Sequence, residues 1–185
     1  MAETTIRSIG IVVKPKHAEA GQTAEELAAW LKDRGISVIA EPFAEATGGR
    51  DHTETGEAWI ANEADLIVVL GGDGTMIATA RLIGDAEVLV MGVNYGSLGY
   101  LTDFRIEELY SSLELILAGN FSIDRRVMLG VEHWRGERAI AKGRVLNDVV
   151  INKAALARII EIEVHLNGLF VNSFRADGLI VSSPT

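Results

Sequence analysis

The stretch Leu66-Ile67-Val68-Val69-Leu70-Gly71-Gly72-Asp73-Gly74-Thr75 places an unbroken apolar run directly before a glycine turn that carries one carboxylate. An apolar run of this length bounded by turn residues predicts a strand buried on both faces, as in a parallel sheet. The glycines open backbone angles closed to other residues. In an open α/β sheet, ligands bind beyond the carboxyl ends of the strands, so Asp73 falls where chemistry is usually done.

Upstream, Ile6 to Val13 reads as a first strand, ended by Lys14-Pro15-Lys16. Thr23-x-x-Glu26 predicts a capping box for a helix over Leu27, Trp30 and Leu31, closed by Arg34-Gly35. Ile36 to Ala40 reads as a short second strand, Glu41 to Thr55 as a mobile loop without periodicity, and Glu57 to Asn62 as a weakly signalled helix. Downstream, Thr75 is positioned to cap a helix through about Ile83, Gly84-Asp85 breaks it, and Val88 to Val93 is a further apolar strand. Asn94 to Asp103 is a second glycine-punctuated loop beyond a strand end. Ile106 to Ala118, with Leu109, Leu113 and Leu117 at helical spacing, predicts a helix ending at Gly119. Alternation of strand and helix implies a parallel sheet covered on both faces.

From Phe121 onward the pattern changes to short strands with turns between them: Val127 to Trp134, Ala139 to Val145, Val149 to Asn152, Ile160 to Leu166, Leu169 to Phe174 and Leu179 to Val181. Asn167-Gly168 predicts a type I′ hairpin turn. The expected organisation is an α/β domain over residues 1–120 and an all-β, sandwich-like domain over residues 121–185. That second domain is expected to be incomplete, because Ser182-Ser183-Pro184-Thr185 follows a strand directly with nothing to cover the sheet edge.

The 185 residues are 48% hydrophobic, enough to bury a core. A formal net charge of −9 argues against a broad grip on nucleic acid or on an anionic membrane surface. A small polyanion needs only local donors such as helix N-termini, loop amides and a few arginines. The sequence has no cysteine, which fits a reducing compartment, and shows neither a signal peptide nor an apolar span of ~20 residues. The expected location is the cytoplasm.

The glycine turn lacks the lysine of a P-loop and is not G-x-G-x-x-G. Its physical sense is a turn whose amides, with the following helix N-terminus, approach a phosphate closely. Asp73 would there meet a cation, most simply Mg²⁺, or accept a proton from a hydroxyl nucleophile. The plainer alternative is an Asp-Gly turn chosen for its backbone angles. His17, His52, His133 and His165 show no shared metal-ligand spacing, and Ser182-Ser183 lacks the surroundings of a nucleophile elbow.

Gly71-Gly72-Asp73-Gly74-Thr75 resembles the motif shared by NAD kinases, diacylglycerol-type lipid kinases and phosphofructokinases. Further matches favour the first family. Asn94-Tyr95-Gly96-Ser97-Leu98-Gly99-Tyr100-Leu101-Thr102-Asp103 resembles its Asn-x-Gly-x-Leu-Gly-Phe-Leu loop. Asn147-Asp148 resembles its Asn-Glu/Asp motif, and Phe174-Arg175-Ala176-Asp177-Gly178 resembles the start of its third block. The resemblance implies a Rossmann-like α/β domain followed by an all-β domain, and transfer of a phosphoryl group from ATP or polyphosphate to the 2′-hydroxyl of the adenosine ribose of NAD. A divalent metal, Mg²⁺ or another, would accompany ATP.

On this resemblance Asp73 is the proton acceptor, and Gly71, Gly72, Asp73, Gly74 and Thr75 line the substrate. Tyr100 would stack on adenine. Asn147 and Asp148 would bind the adenosine part, Arg158 would lie near the dinucleotide phosphates, Arg175 would bind substrate by charge-assisted hydrogen bonds, and Asp177 would lie toward the nicotinamide end. Arg125 and Arg126 are weaker candidates for the phosphate donor. Family members are homo-oligomers, so a dimer or tetramer through the β domain is expected. Two other readings stay open at this point: a lipid or sugar-phosphate kinase sharing the glycine turn, and a nucleotide-binding chain that does not itself catalyse.

Overall fold

A computed structural model describes residues 5–14, 16–45, 59–96, 99–153 and 159–184. The chain divides into two compact units, Met1–Arg125 and Arg126–Thr185.

The first unit is built on a parallel sheet of β1 (Ser8–Val13), β2 (Ser37–Glu45), β3 (Leu66–Leu70), β4 (Leu89–Asn94) and β5 (Phe104–Arg105), in the order β2-β1-β3-β4-β5. Its helices are α1 (Ala18–Lys32), α2 (Trp59–Glu63), α3 (Asp73–Ile83) and α4 (Leu109–Leu117), the last entered through a 3₁₀ turn at Ile106–Glu108. Alternate residues of the central strands point to opposite faces. Ile9, Ile11, Val68, Leu70 and Val93 pack with Ala20, Leu27 and Leu31 of α1 and Leu109 and Leu113 of α4. Val12, Ile67 and Val69 pack on the other face with Ile60 and Ala61 of α2 and with Met76 and Ile83 of α3. Both faces are therefore covered, as the unbroken apolar runs predict.

Strand order reverses at β1, which pairs with β2 on one side and β3 on the other. Because α1 and α3 lie on opposite faces, the chain diverges at the carboxyl ends of β1 and β3, the crevice in which doubly wound sheets bind ligands. The backbone is tied there: Lys14 N donates to Leu70 O at 3.0 Å and Gly71 N to Val93 O at 2.9 Å.

Three local readings change. Helix α1 starts at Ala18, capped by His17, whose Nδ1 accepts from Ala20 N at 3.2 Å. The expected cap Thr23 lies within the helix and donates to Glu19 O. The apolar stripe begins a turn earlier than its large residues suggest, with the buried alanines 20 and 24. Strand β2 runs on through residues expected as loop, because Ala44 and Glu45 pair with Val12 and Val13 after a register shift. Pro42 is tolerated since β2 is an edge strand. Helix α3 is capped by Gly72, with Asp73 rather than Thr75 leading it.

The second unit consists of β6 (Met128–Arg135), β7 (Arg138–Leu146), β8 (Asp148–Asn152), β9 (Ile160–Leu166), β10 (Leu169–Ala176) and β11 (Gly178–Ser182). They form antiparallel pairs β6-β7, β8-β11 and β9-β10. The β9–β10 turn has Asn167 at φ 52 and Gly168 at φ 79, the two positive values a type I′ hairpin requires.

Candidate functional site

In the first unit the site is assembled from the ends of β3 and β4. Gly71 permits the sharp exit from β3: a Cβ there would run into the Thr75 side chain, which is buried beneath the turn. Asp73 then stands at the first position of α3, where the helix dipole favours a negative group.

Its carboxylate does not lie idle. Oδ2 accepts from Tyr100 N at 2.9 Å, while Oδ1 accepts from Leu101 N at 3.1 Å and from Thr102 Oγ1 at 3.2 Å. A cap of two amides and a hydroxyl holds the carboxylate in one orientation, yet a carboxylate offers about four lone-pair sites, so acceptor capacity remains. Gly99 is required by this closeness, because a Cβ at that position would strike the Asp73 carboxylate. The two glycine-punctuated loops singled out in the sequence are thus one structure, joined through Asp73.

The remaining residues of this unit take different places. Tyr100 turns its ring outward, 90% exposed, free to be covered by a flat ligand. Tyr95 instead packs inward with its ring 5.1 Å from that of His17, and burial pushes its hydroxyl above the ordinary phenol range. Among the described residues there is no group of three or more His, Cys, Asp or Glu able to hold a metal ion.

In the second unit Asn147 takes a left-handed conformation, φ 79, between β7 and β8. Its Nδ2 donates to Asp148 Oδ2 at 3.1 Å, and its carbonyl accepts from Ser183 N at 2.8 Å and Ser183 Oγ at 3.3 Å. Asp148 pairs with Ser182 at one end of the β8–β11 ribbon, and Asn152 pairs with Gly178 at the other. Asp177 sits at that far end. Its partner is Lys153, with Nζ 2.7 Å from Oδ1 and Lys153 N donating to Asp177 O at 2.9 Å. Arg175 is exposed and stands opposite Glu161 in the β9–β10 register. Arg125 and Arg126 are exposed. Arg158, Ser97 and Leu98 lie outside the described residues, as do residues 46–58 of the expected loop and helix start.

Sequence reasoning missed Asn94, Gly99 and Thr102 as supports of Asp73, and Lys153 as the partner of Asp177. The signal for the first three was present, since all lie in the second glycine loop, but their target is far away in sequence.

A doubly wound parallel sheet with a carboxylate and a glycine turn near its switch point is the architecture of a nucleotide- or phosphate-handling α/β protein. The comparisons narrow that class. The family profile described as the ATP-NAD kinase N-terminal domain matches residues 9–121, and the chain belongs to that family. It is 46% identical over 180 residues to an NAD kinase of Geotalea daltonii and 47% identical over 182 residues to an NAD kinase of Citrifermentans bemidjiense. Each match takes in 97% of this chain and 63% of the relative, so the chain spans under two thirds of the length of these proteins. A crystal structure of yeast NADH kinase complexed with NADH shares the fold, with a TM-score of 0.78 at 19% identity, over 97% of this chain and 58% of that one.

Proposed function

We propose that the protein phosphorylates NAD on the 2′-hydroxyl of its adenosine ribose, with ATP or polyphosphate as donor and Asp73 as proton acceptor. The observation that carries this reading is the Asp73 carboxylate, held at the start of α3 with acceptor capacity to spare. Phosphoryl transfer asks the protein mainly for positioning and charge stabilisation, which suits a glycine turn and helix N-terminus. The 2′-oxygen forms a bond to the γ-phosphorus as its proton passes to Asp73. The bond from that phosphorus to the bridging oxygen breaks, and ADP leaves with the electron pair.

A divalent cation would arrive on the triphosphate, because Mg²⁺ keeps several waters and binds through substrate phosphates more readily than in all-protein cages. In the second unit Asn147 would read the adenine edge and Asp148 the ribose hydroxyls. Arg158 would meet phosphate, Arg175 would bind substrate by charge-assisted hydrogen bonds, and Asp177 would lie toward the nicotinamide end. Asp148 and Asp177, the latter opposite Lys153, are separated by five residue steps along the ribbon, roughly 16 Å at ~3.3 Å per residue, a span suited to the two ends of a dinucleotide. We further infer self-association through the β unit, supported by its exposed apolar side chains, in a cytoplasmic setting that suits the cysteine-free sequence.

One labelled donor offered with NAD, a diacylglycerol and fructose 6-phosphate tests the acceptor. Label is expected in NADP alone, and transfer to either other acceptor in preference to NAD would overturn the reading. Sedimentation at high concentration tests assembly, with a purely monomeric boundary contradicting it.

A further inference from the structure

The hydroxyl of Thr102 is fully buried, with the residue at 0% exposure, and it stands within hydrogen-bonding distance of three groups. These are Asp73 Oδ1 at 3.2 Å, Asn94 Nδ2 at 3.2 Å and Gly99 N at 3.3 Å. A hydroxyl has one hydrogen to give and two lone pairs to receive with. Asn94 Nδ2 and Gly99 N can only donate, so they occupy the lone pairs and the hydrogen is directed to Asp73. The Asn94 amide is itself oriented, because its Oδ1 accepts from Gly96 N at 3.0 Å. The Thr102 methyl is fixed as well. It lies over Gly92 of β4, where an added Cβ would stand 3.1 Å from Thr102 Cγ2. Rotation of the side chain would lose this packing and all three polar contacts together.

We propose that Thr102 is a positioning residue for the Asp73 carboxylate, acting as the fixed node that ties Asp73, the end of β4 and the Gly99–Thr102 turn into one rigid cradle. This rests on the reading of Asp73 as the acceptor of the substrate proton. The amides of Tyr100 and Leu101 alone would let the turn and the carboxylate move together as a pair. Thr102 anchors that pair to the sheet through Asn94 at the end of β4, and so sets where the carboxylate sits relative to the crevice. A proton acceptor must lie within hydrogen-bond reach of its hydroxyl, and small displacements there are costly in rate.

The test compares Thr102→Val, which keeps the shape and removes the hydroxyl, with Thr102→Ser, which keeps the hydroxyl. Amide hydrogen exchange on the 185-residue chain reads the cradle without any need for activity. Thr102→Val is expected to speed exchange at Tyr100 and Leu101 about tenfold while Val68 and Val69 stay unchanged, and Thr102→Ser to stay within about threefold of the parent. For NADP formation, Thr102→Val is expected to lower kcat by about 10- to 100-fold with KM for NAD and ATP within about threefold, and Thr102→Ser to restore kcat. Unchanged exchange in Thr102→Val overturns the proposal. So does faster exchange with an unchanged kcat, which would make the node merely structural, or a Thr102→Ser as impaired as Thr102→Val. A parent chain that makes no NADP would instead reject the phosphoryl-transfer reading, and exchange alone would then decide whether Thr102 holds Asp73.

Discussion

In the first unit Ile9, Leu27, Val68 and Leu70 are fully buried, whereas in the second Trp134, Phe170, Ile180 and Leu169 are 54%, 60%, 66% and 74% exposed. The apolar residues are not scarcer in the second unit; they are arranged differently. Parallel strands between two helix layers bury both faces, so β1 and β3 close a core within the unit. The second unit has no helix among its described residues, and its paired ribbons leave many large apolar side chains exposed. A two-stranded ribbon is marginal alone in water. The contrast separates what holds each half: packing in the first, ladder hydrogen bonds and turn geometry in the second.

Truncations give the largest expected difference between the halves. Leu27→Ala should destabilise the first unit by about 2–5 kcal/mol, since it opens a cavity against β1 and α4, whereas Phe170→Ala should cost under about 1 kcal/mol. Chemical denaturation of both variants checks this, and equal losses would break the comparison. Gly99→Ala comes next, at about 1–3 kcal/mol, because the added methyl must displace either the turn or the Asp73 carboxylate. A crystal structure of that variant with both the turn and the Asp73 carboxylate unmoved would count against it.

Asp65 gives a smaller effect with a pH signature. Its Oδ2 accepts from Arg7 N, Ser8 N and Ser8 Oγ, clasping the amino ends of β1 and β3. Burial pushes this carboxyl up, but these hydrogen bonds outweigh it and leave it below the ordinary aspartate range. A folded-state value below the unfolded one stabilises the protein above the unfolded value, about pH 4, and that contribution is lost as pH falls through the folded value. Asp65→Ala should therefore cost about 1 kcal/mol at neutral pH, with the gap from the parent closing under acid conditions. Melting curves across pH read it, and a gap that widens in acid would contradict the assignment. The smallest effect is expected at the surface pair Lys153–Asp177, where Lys153→Ala should change stability by under about 1 kcal/mol and less at high salt.

How much of this was legible in the sequence follows the same division. Leu66 to Leu70 announced a buried strand because two-sided burial leaves an unbroken apolar run, and Asn167-Gly168 announced its turn because few residue pairs adopt two positive φ values. The start of α1 was hidden because the alanines 20 and 24 pack as well as leucines do but carry little hydrophobic signal. The extension of β2 was hidden because edge pairing tolerates a proline that reads as a loop. At the site, the glycine turn and its carboxylate were visible as local chemistry. Thr102 was not, because its hydroxyl acts on a residue 29 positions away, and only the fold brings the two loops together. Asp177 stands near Arg175 in sequence, but it is Lys153, just beyond the β8–β11 ladder, that pairs with it.

The role of Asp73 is tested most directly by NADP formation from NAD and ATP in the parent and in Asp73→Asn, with melting temperatures measured alongside. The substitution keeps the size of the side chain but replaces one acceptor oxygen facing the Tyr100–Thr102 turn with a donor. The expected result is a fall in kcat of at least about 100-fold with folding preserved. An Asp73→Asn protein that forms NADP at the parent rate would contradict the account.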